Sequence, residues 1–309
     1  MEENKHIKLP LGTVSLSPEL GSYYIDMRPA KIHYQPNIWG GDFDQNGVPR
    51  ISFKGELGYF PINIAQYGFM LHAEWLETGN IETLELMKSC LNVLEEIKTE
   101  NNDHCVWWHN EINYRYNIEP PWASAMAQGE LISFYLRMYQ ILGETDLLNT
   151  ALKSYEFMRV NVSEGGVRQY SEDLGTWLEE YPSDPPSFVL NGFIYAIFGI
   201  YDLYRVTRNE LINEDLQRLL NTVKNNLSKF DAGFWSYYDL QKKELVRYYY
   251  QKNVHIPQLN VLYQLTNEPV FLKYAEKWER QLTSINYLIV KIMYRVLPRV
   301  RKLKKLISF

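Results

Sequence analysis

The stretch YQILGETDLLNTALKSYEFM, residues 139–158, decides the fold. Leu148, Ala151, Leu152, Tyr155 and Met158 recur at i, i+3, i+4, i+7 and i+10, which is one face of a helix. The polar Gly-Glu-Thr-Asp ahead of them reads as the stop of one helix and the start of the next. The same layout returns in EWLETGNIETLELMKSCLNVL from Glu74, YDLYRVTRNELINEDLQRLL from Tyr201 and YQLTNEPVFLKYAEKWERQL from Tyr263. Turn to turn the copies lie about 60 to 65 residues apart, the length of two helices and their connections. The pattern predicts an all-α chain of antiparallel helix hairpins arranged as an incomplete (α/α) toroid; its rival is a straight solenoid of helix pairs.

Composition fits a folded chain and narrows its class. The 309 residues are 46% hydrophobic and 22% charged, with a net charge of −5. This excludes a disordered chain and a globally basic nucleic-acid binder. Two cysteines, Cys90 and Cys105, are too few for a disulfide framework or a zinc site. The unusual number is the aromatic content, 24 Tyr, 13 Phe and 8 Trp. Aromatic faces suit the C–H side of a sugar ring, although most will serve the core.

The ends differ from the body. Residues 1–57 are turn-rich with short β-branched pieces and read as an irregular or short-strand segment. The N-terminus shows no secretory pattern, and no stretch approaches the length of a membrane span. From Lys291 to Lys305 there are seven Lys or Arg and no acid, and Ile285, Leu288, Ile289, Ile292 and Val296 recur at helical spacing until Pro298. Residues 284–309 therefore form an expected basic amphipathic tail. The expected location is cytoplasmic, with peripheral contact at the inner membrane face. The intervening 58–283 is the expected catalytic domain.

Two long loops, from about Gly165 to Pro186 and from about Asp231 to Pro257, are rich in Gly, Pro and aromatics. Such loops on a helical scaffold tend to carry function. The run WLEEYPSDPPSFVLNGFIY, Trp177 to Tyr195, resembles the signature of the D-glucuronyl C5-epimerases. The motifs YFPINIAQYG at 59–68, PWASAMAQG at 121–129, Tyr238-Asp-Leu240, His255-Ile-Pro-Gln-Leu259 and Trp278 resemble that family in the same order. The resemblance runs from about Gly58 to Leu282 and implies an (α/α) toroid, a homodimer and conversion of D-glucuronate to L-iduronate within a heparosan-like polysaccharide.

Epimerisation at C5 removes a carbon-bound proton beside a carboxylate and returns one from the opposite face. It needs two proton-transfer groups and donors or cations that offset the developing charge. The scheme requires no cofactor or metal, and the sequence shows no dinucleotide fingerprint and no His-x-x-x-His pair. The resemblance implies catalytic roles for Glu180, Tyr181 and Tyr238. Neighbouring charge that lowered its pKa would let Tyr181 pass a proton. The family places a further tyrosine four residues before the His of the His-Ile pair. Here that position is Gln251, so a one-residue insertion is needed for Tyr250 to serve, with Tyr249 next in line. The family's Arg after Tyr-Asp-Leu is replaced by Gln241, which can bond a carboxylate without supplying charge. Arg168, Lys242, Lys243 or Arg247 would have to supply the cation. His255, Trp122 and Asn191 complete the expected substrate contacts.

Two other readings remain open from sequence. One is a lyase or hydrolase on the same scaffold, in which Glu180 pairs with Asp184 or Asp239. The other is a non-catalytic glycan-binding protein, with the shifted tyrosine and missing Arg as marks of decay.

Overall fold

The computed structural model describes residues 7–34, 41–53 and 56–294. Each repeated segment is the turn of a helix hairpin: α1 Pro61–Thr78 with α2 Ile81–Ile97, α3 Ala125–Leu142 with α4 Thr145–Phe157, and α5 Leu190–Thr207 with α6 Glu210–Asn226. The fourth pairs α8, Ile256–Thr266, with α9, Pro269–Arg280; α8 follows the short α7, Tyr248–Tyr250, and a π-helical turn, Gln251–His255. The first members also pack on one another, α1 on α3 and α3 on α5, with α5 touching the π turn. They form the inner layer, and their partners form the outer layer of an (α/α) toroid.

The hairpin turns share one local solution. The inner helix ends in a left-handed residue, Gly79, Gly143, Arg208 or Asn267, with φ of 63°, 73°, 53° and 56°. In each case its N–H donates to the carbonyl of the aromatic residue four positions earlier, Trp75, Tyr139, Tyr204 or Tyr263. This satisfies a carbonyl that the helix end would leave unpaired. Gly143→Ala should therefore destabilise the chain by about 1 kcal/mol through backbone strain alone, because no heavy atom lies within 4 Å of the added Cβ. A urea midpoint measured beside the wild type checks this.

The inner layer is tightly built. A Cβ on Gly199 of α5 would lie 2.2 Å from the carbonyl oxygen of Gly129 on α3, so these helices meet backbone to backbone. On α4 the buried face is centred on Leu147, Thr150, Ala151, Ser154 and Tyr155, while Leu148 and Leu152 are only half-buried. Apolar spacing placed this face one residue too far along, because small polar side chains fill the contact with α3.

The N-terminal segment joins the same core. Tyr23 stacks on Phe69 of α1 at 3.8 Å, and Tyr24 packs on Phe198 of α5. The Tyr24 hydroxyl donates to Asp202 Oδ1 at 2.6 Å. Asp202 also receives Arg137 Nη1 at 2.7 Å and Arg205 Nη1 at 3.1 Å, all three groups fully buried. The two arginines then donate to the carbonyls of Ser17, Glu19 and Gly21, tying the segment across the ring. Three short antiparallel strands follow, β1 Gly41–Phe43, β2 Pro49–Phe53 and β3 Glu56–Tyr59. The expected boundary at residues 57 and 58 falls inside β3.

At the opposite end from the tight turns, the long connections gather over the N-termini of α3, α5 and α7. They carry two further small hairpins, β4 Thr99–Glu100 with β5 Cys105–Val106, and β6 Arg168–Ser171 with β7 Gly175–Leu178. Residues 284–294 are helical and pack Val290, Met293 and Tyr294 onto a small second core around Trp235, Leu245 and Val246. The rest of the expected basic tail, with Val296 and Pro298, lies outside the described residues. No described helix is long and apolar enough to cross a membrane.

Candidate active site

Glu180 follows β7 in the α4–α5 connection, and its carboxyl sits against the first turn of α5. Asn191 Nδ2 donates to Glu180 Oε2 at 3.3 Å, and the Gly192 N–H also bonds the carboxyl. A Cβ on Gly192 would lie 2.2 Å from Oε2, so the carboxyl's seat exists because residue 192 lacks a side chain. Tyr238, from the α6–α7 connection, donates its hydroxyl to Glu180 Oε1 at 3.1 Å, and Tyr181 adds a further hydrogen bond. Burial raises the Glu180 pKa to about 7, while the two tyrosines, Arg115 and the Gly192 N–H keep it from rising further.

The tyrosines behave differently from the sequence expectation. Burial, reinforced by the Glu180 charge, holds Tyr181, Tyr238 and Tyr250 above their ordinary value. No neighbour lowers them into a basic range, so each is a proton donor at neutral pH. A π turn accommodates one extra residue in a helix, and the one here, Gln251–His255, ends on the His of the His-Ile pair. It leaves Tyr250 edge-on to Tyr238, with ring centroids 6.0 Å apart. Gln251, at the family's tyrosine position, turns inward instead and accepts from the N–H and hydroxyl of Ser236.

Asn191 and Tyr250 also line a cavity of about 260 Å³, with Gln66 of α1, Tyr195 of α5, Tyr249 and the N-terminal segment's Met27. Beside it lies a second buried acid absent from the sequence expectations, Glu130 on α3, which receives Gln66 Nε2 at 3.3 and 3.2 Å. Burial, and then the Glu180 charge, push its pKa well above its ordinary value.

The cation nearest Tyr238 among the described contacts is not one of those expected. Arg115, in the α2–α3 connection, lies 4.6 Å over the Tyr238 ring and 5.3 Å over Tyr116, held by Asp239 Oδ2 at 2.9 Å and Glu244 Oε2 at 3.1 Å. Tyr116 stacks on Tyr181 at 4.8 Å and donates to Asp239. The only sequence signal was an arginine between two tyrosines, which is too weak to select it. Lys242 does approach, with Nζ 4.8 Å over the Tyr116 ring. Arg168 does not join this cluster: its guanidinium forms a fork with Asp215 of α6, at 2.9 and 2.6 Å. Arg247 lies over Tyr294.

Three other expected contacts are redirected. Gln241 donates to Ser183 Oγ and the Pro185 carbonyl, bracing the Glu180 loop rather than facing the cavity. His255 is fully buried, with Nδ1 2.9 Å from Ser236 Oγ and its ring against Trp278; burial lowers its pKa to about 3, so it is neutral. Sharing Ser236 with Gln251, it anchors the π turn instead of meeting a sugar. Trp122 stacks on His109 at 4.2 Å and packs at 5.7 Å from Tyr181, which it supports from behind. The carboxylates considered as partners of Glu180 are otherwise engaged: Asp239 holds Arg115 and Tyr116, and Asp184 is exposed.

Behind Glu180 the loop is stiffened by its neighbour. Glu179 accepts Ser187 Oγ at 2.5 Å and the Phe188 N–H at 3.0 Å. Phe188 has φ of 51°, a strained conformation for a bulky side chain that these bonds stabilise.

A ring of helix hairpins with a buried acid, tyrosine hydroxyls and a cavity at one end is an (α/α) toroid that carries a candidate active site. The structure is similar to the cellobiose 2-epimerase of Bacillus thermoamylovorans, with a TM-score of 0.54 and 12% identity, over 77% of this chain and 66% of that one. At that identity the likeness shows the fold alone. Residues 101–280 match the D-glucuronyl C5-epimerase C-terminus family, and the chain belongs to that family. It is 33% identical over 180 residues to a D-glucuronyl C5-epimerase of Caenorhabditis elegans, covering 52% of this chain and 29% of the nematode protein. It is also 30% identical over 207 residues to an uncharacterized protein of Methanocaldococcus jannaschii, covering 66% of this chain and 67% of that one.

Proposed function

We propose that this chain epimerises D-glucuronate to L-iduronate at C5 within a glucuronic-acid-containing polysaccharide. The observation that carries the proposal is Glu180: a buried carboxyl with a pKa of about 7, bonded by Tyr238 and Asn191, with Asn191 and Tyr250 facing a common cavity. An acid poised near working pH suits proton transfer to and from carbon. In this scheme ionised Glu180 takes the C5 proton. The electron pair of the C–H bond moves into the uronate carboxyl, giving an enediolate. Arg115 and the neutral hydroxyls of Tyr181 and Tyr238 offset the added charge. Tyr250 delivers its hydroxyl proton to the other face of C5, and solvent exchange returns the proton from Glu180 to the phenolate.

Incubation in heavy water with an unsulfated polymer of glucuronate and N-acetylglucosamine tests this. The expected result is deuterium at C5 together with iduronate signals by NMR. Unsaturated ends would instead identify a lyase, and deuterium without iduronate would mean that one face alone is served. The exchange rate should rise about tenfold per pH unit below the Glu180 pKa, since only the ionised carboxyl accepts a proton, and level off above about 7.

A further inference from the structure

The C-terminal helix, residues 284–294, is apolar on both sides. Its inner side, with Val290 at 2% exposure, packs on the Trp235 core. Its outer side shows Ile285 at 72%, Leu288 at 56%, Ile289 at 38% and Ile292 at 49% exposure, spaced i, i+3, i+4 and i+7 as one stripe. A helix packed on a globular body ordinarily turns a polar face outward, and a contiguous exposed apolar stripe marks a contact surface. The chain then runs into the seven cations between Lys291 and Lys305, and residues 284–309 contain no acid. Those seven come from 32 Lys and Arg in the whole chain, leaving 25 against all 37 acids in residues 1–283. The polarity of charge along the chain is therefore strong, and its basic end coincides with the apolar stripe.

We propose that this helix and the basic stretch after it dock on an anionic lipid surface. Aliphatic side chains supply one signal, and the cations the second that peripheral attachment requires. The helix also braces the site. Asn286 Nδ2 donates to the Phe234 carbonyl at 3.3 Å, and Tyr294 hydroxyl bonds the Leu245 carbonyl, both in the connection that carries Tyr238. Docking would hold that connection beside the lipid.

The test is flotation of the full chain with vesicles of phosphatidylcholine, with and without phosphatidylglycerol, at low and high salt. The expected result is binding only to the anionic vesicles, lost at high salt. Lys302→Gln, Lys304→Gln and Lys305→Gln combined should weaken partitioning about a hundredfold, at about fivefold per cation. Leu288→Ser with Ile292→Ser should also release the protein while leaving its near-UV circular dichroism unchanged, since both side chains point outward. Failure to float with anionic vesicles at low salt overturns the proposal, as does equal binding to neutral vesicles. A dimer in sedimentation that Leu288→Ser and Ile292→Ser dissociate would also overturn it, making the stripe an interface between copies.

Discussion

Glu180→Gln reduces C5 exchange by at least about a thousandfold, the scale of a lost general base, while the fold survives. Glutamine keeps the shape that fits against Gly192 and the hydrogen bond to Tyr238, but it cannot accept a proton from carbon. The same variant has a second signature in stability. The Glu180 pKa is raised to about 7 in the folded chain, above the ordinary 4.5. Between those values the folded state holds a proton that the unfolded state has released. This contribution therefore lessens stability as pH rises from about 4.5 to about 7, and is flat above. Glutamine removes the slope, so the variant gains stability relative to wild type at pH 8 and not at pH 4. Heavy-water NMR for exchange, with urea unfolding at the two pH values, reads both effects. Exchange at near wild-type rates would exclude Glu180 as the base. A variant that lost exchange by unfolding would show its collapse in the urea series.

Asp202→Ala should cost about 3–5 kcal/mol, because it strands buried cations without a partner. Arg137 and Arg205 are each about 1% exposed, and their contacts with Asp202 are at 2.7 and 3.1 Å. Tyr24 loses its acceptor in the same step. The arginines also hold the carbonyls of Ser17, Glu19 and Gly21, so the segment across the ring should loosen with them. Urea unfolding measures the energy, and limited proteolysis around residues 15–24 reads the loosening. A cost below about 1 kcal/mol, typical of an exposed ion pair, would mean that water reaches the cluster. Because Leu9, Met27 and Ala30 of this segment line the cavity, C5 exchange should fall as the segment detaches.

Sequence by itself determined the hairpins and put part of the candidate site in one motif. The repeat of an aromatic-bearing helix end, a short polar turn and a second helix is short-range chemistry, so the turns could be read from their Gly, Asn, Asp and Thr; the left-handed Arg208 could not. Glu180, Tyr181 and Asn191 lie within one motif, and their proximity follows from a loop leading into a helix N-terminus. What joins different hairpins could not be read that way. Arg115 meets Tyr238 across 123 positions of chain, and Glu130 meets Gln66 across α1 and α3. Arg168, a reasonable cation by composition, is taken by Asp215 because the β6–β7 hairpin lies against α6 through β7. Tyr250, with Tyr249 next in line, depended on a one-residue insertion that spacing alone could not show, and the π turn at Gln251–His255 is a feature that can hold one. Tertiary structure decided these matters because a charge pairs with whatever packing brings within a few ångströms, and packing is a property of the whole ring.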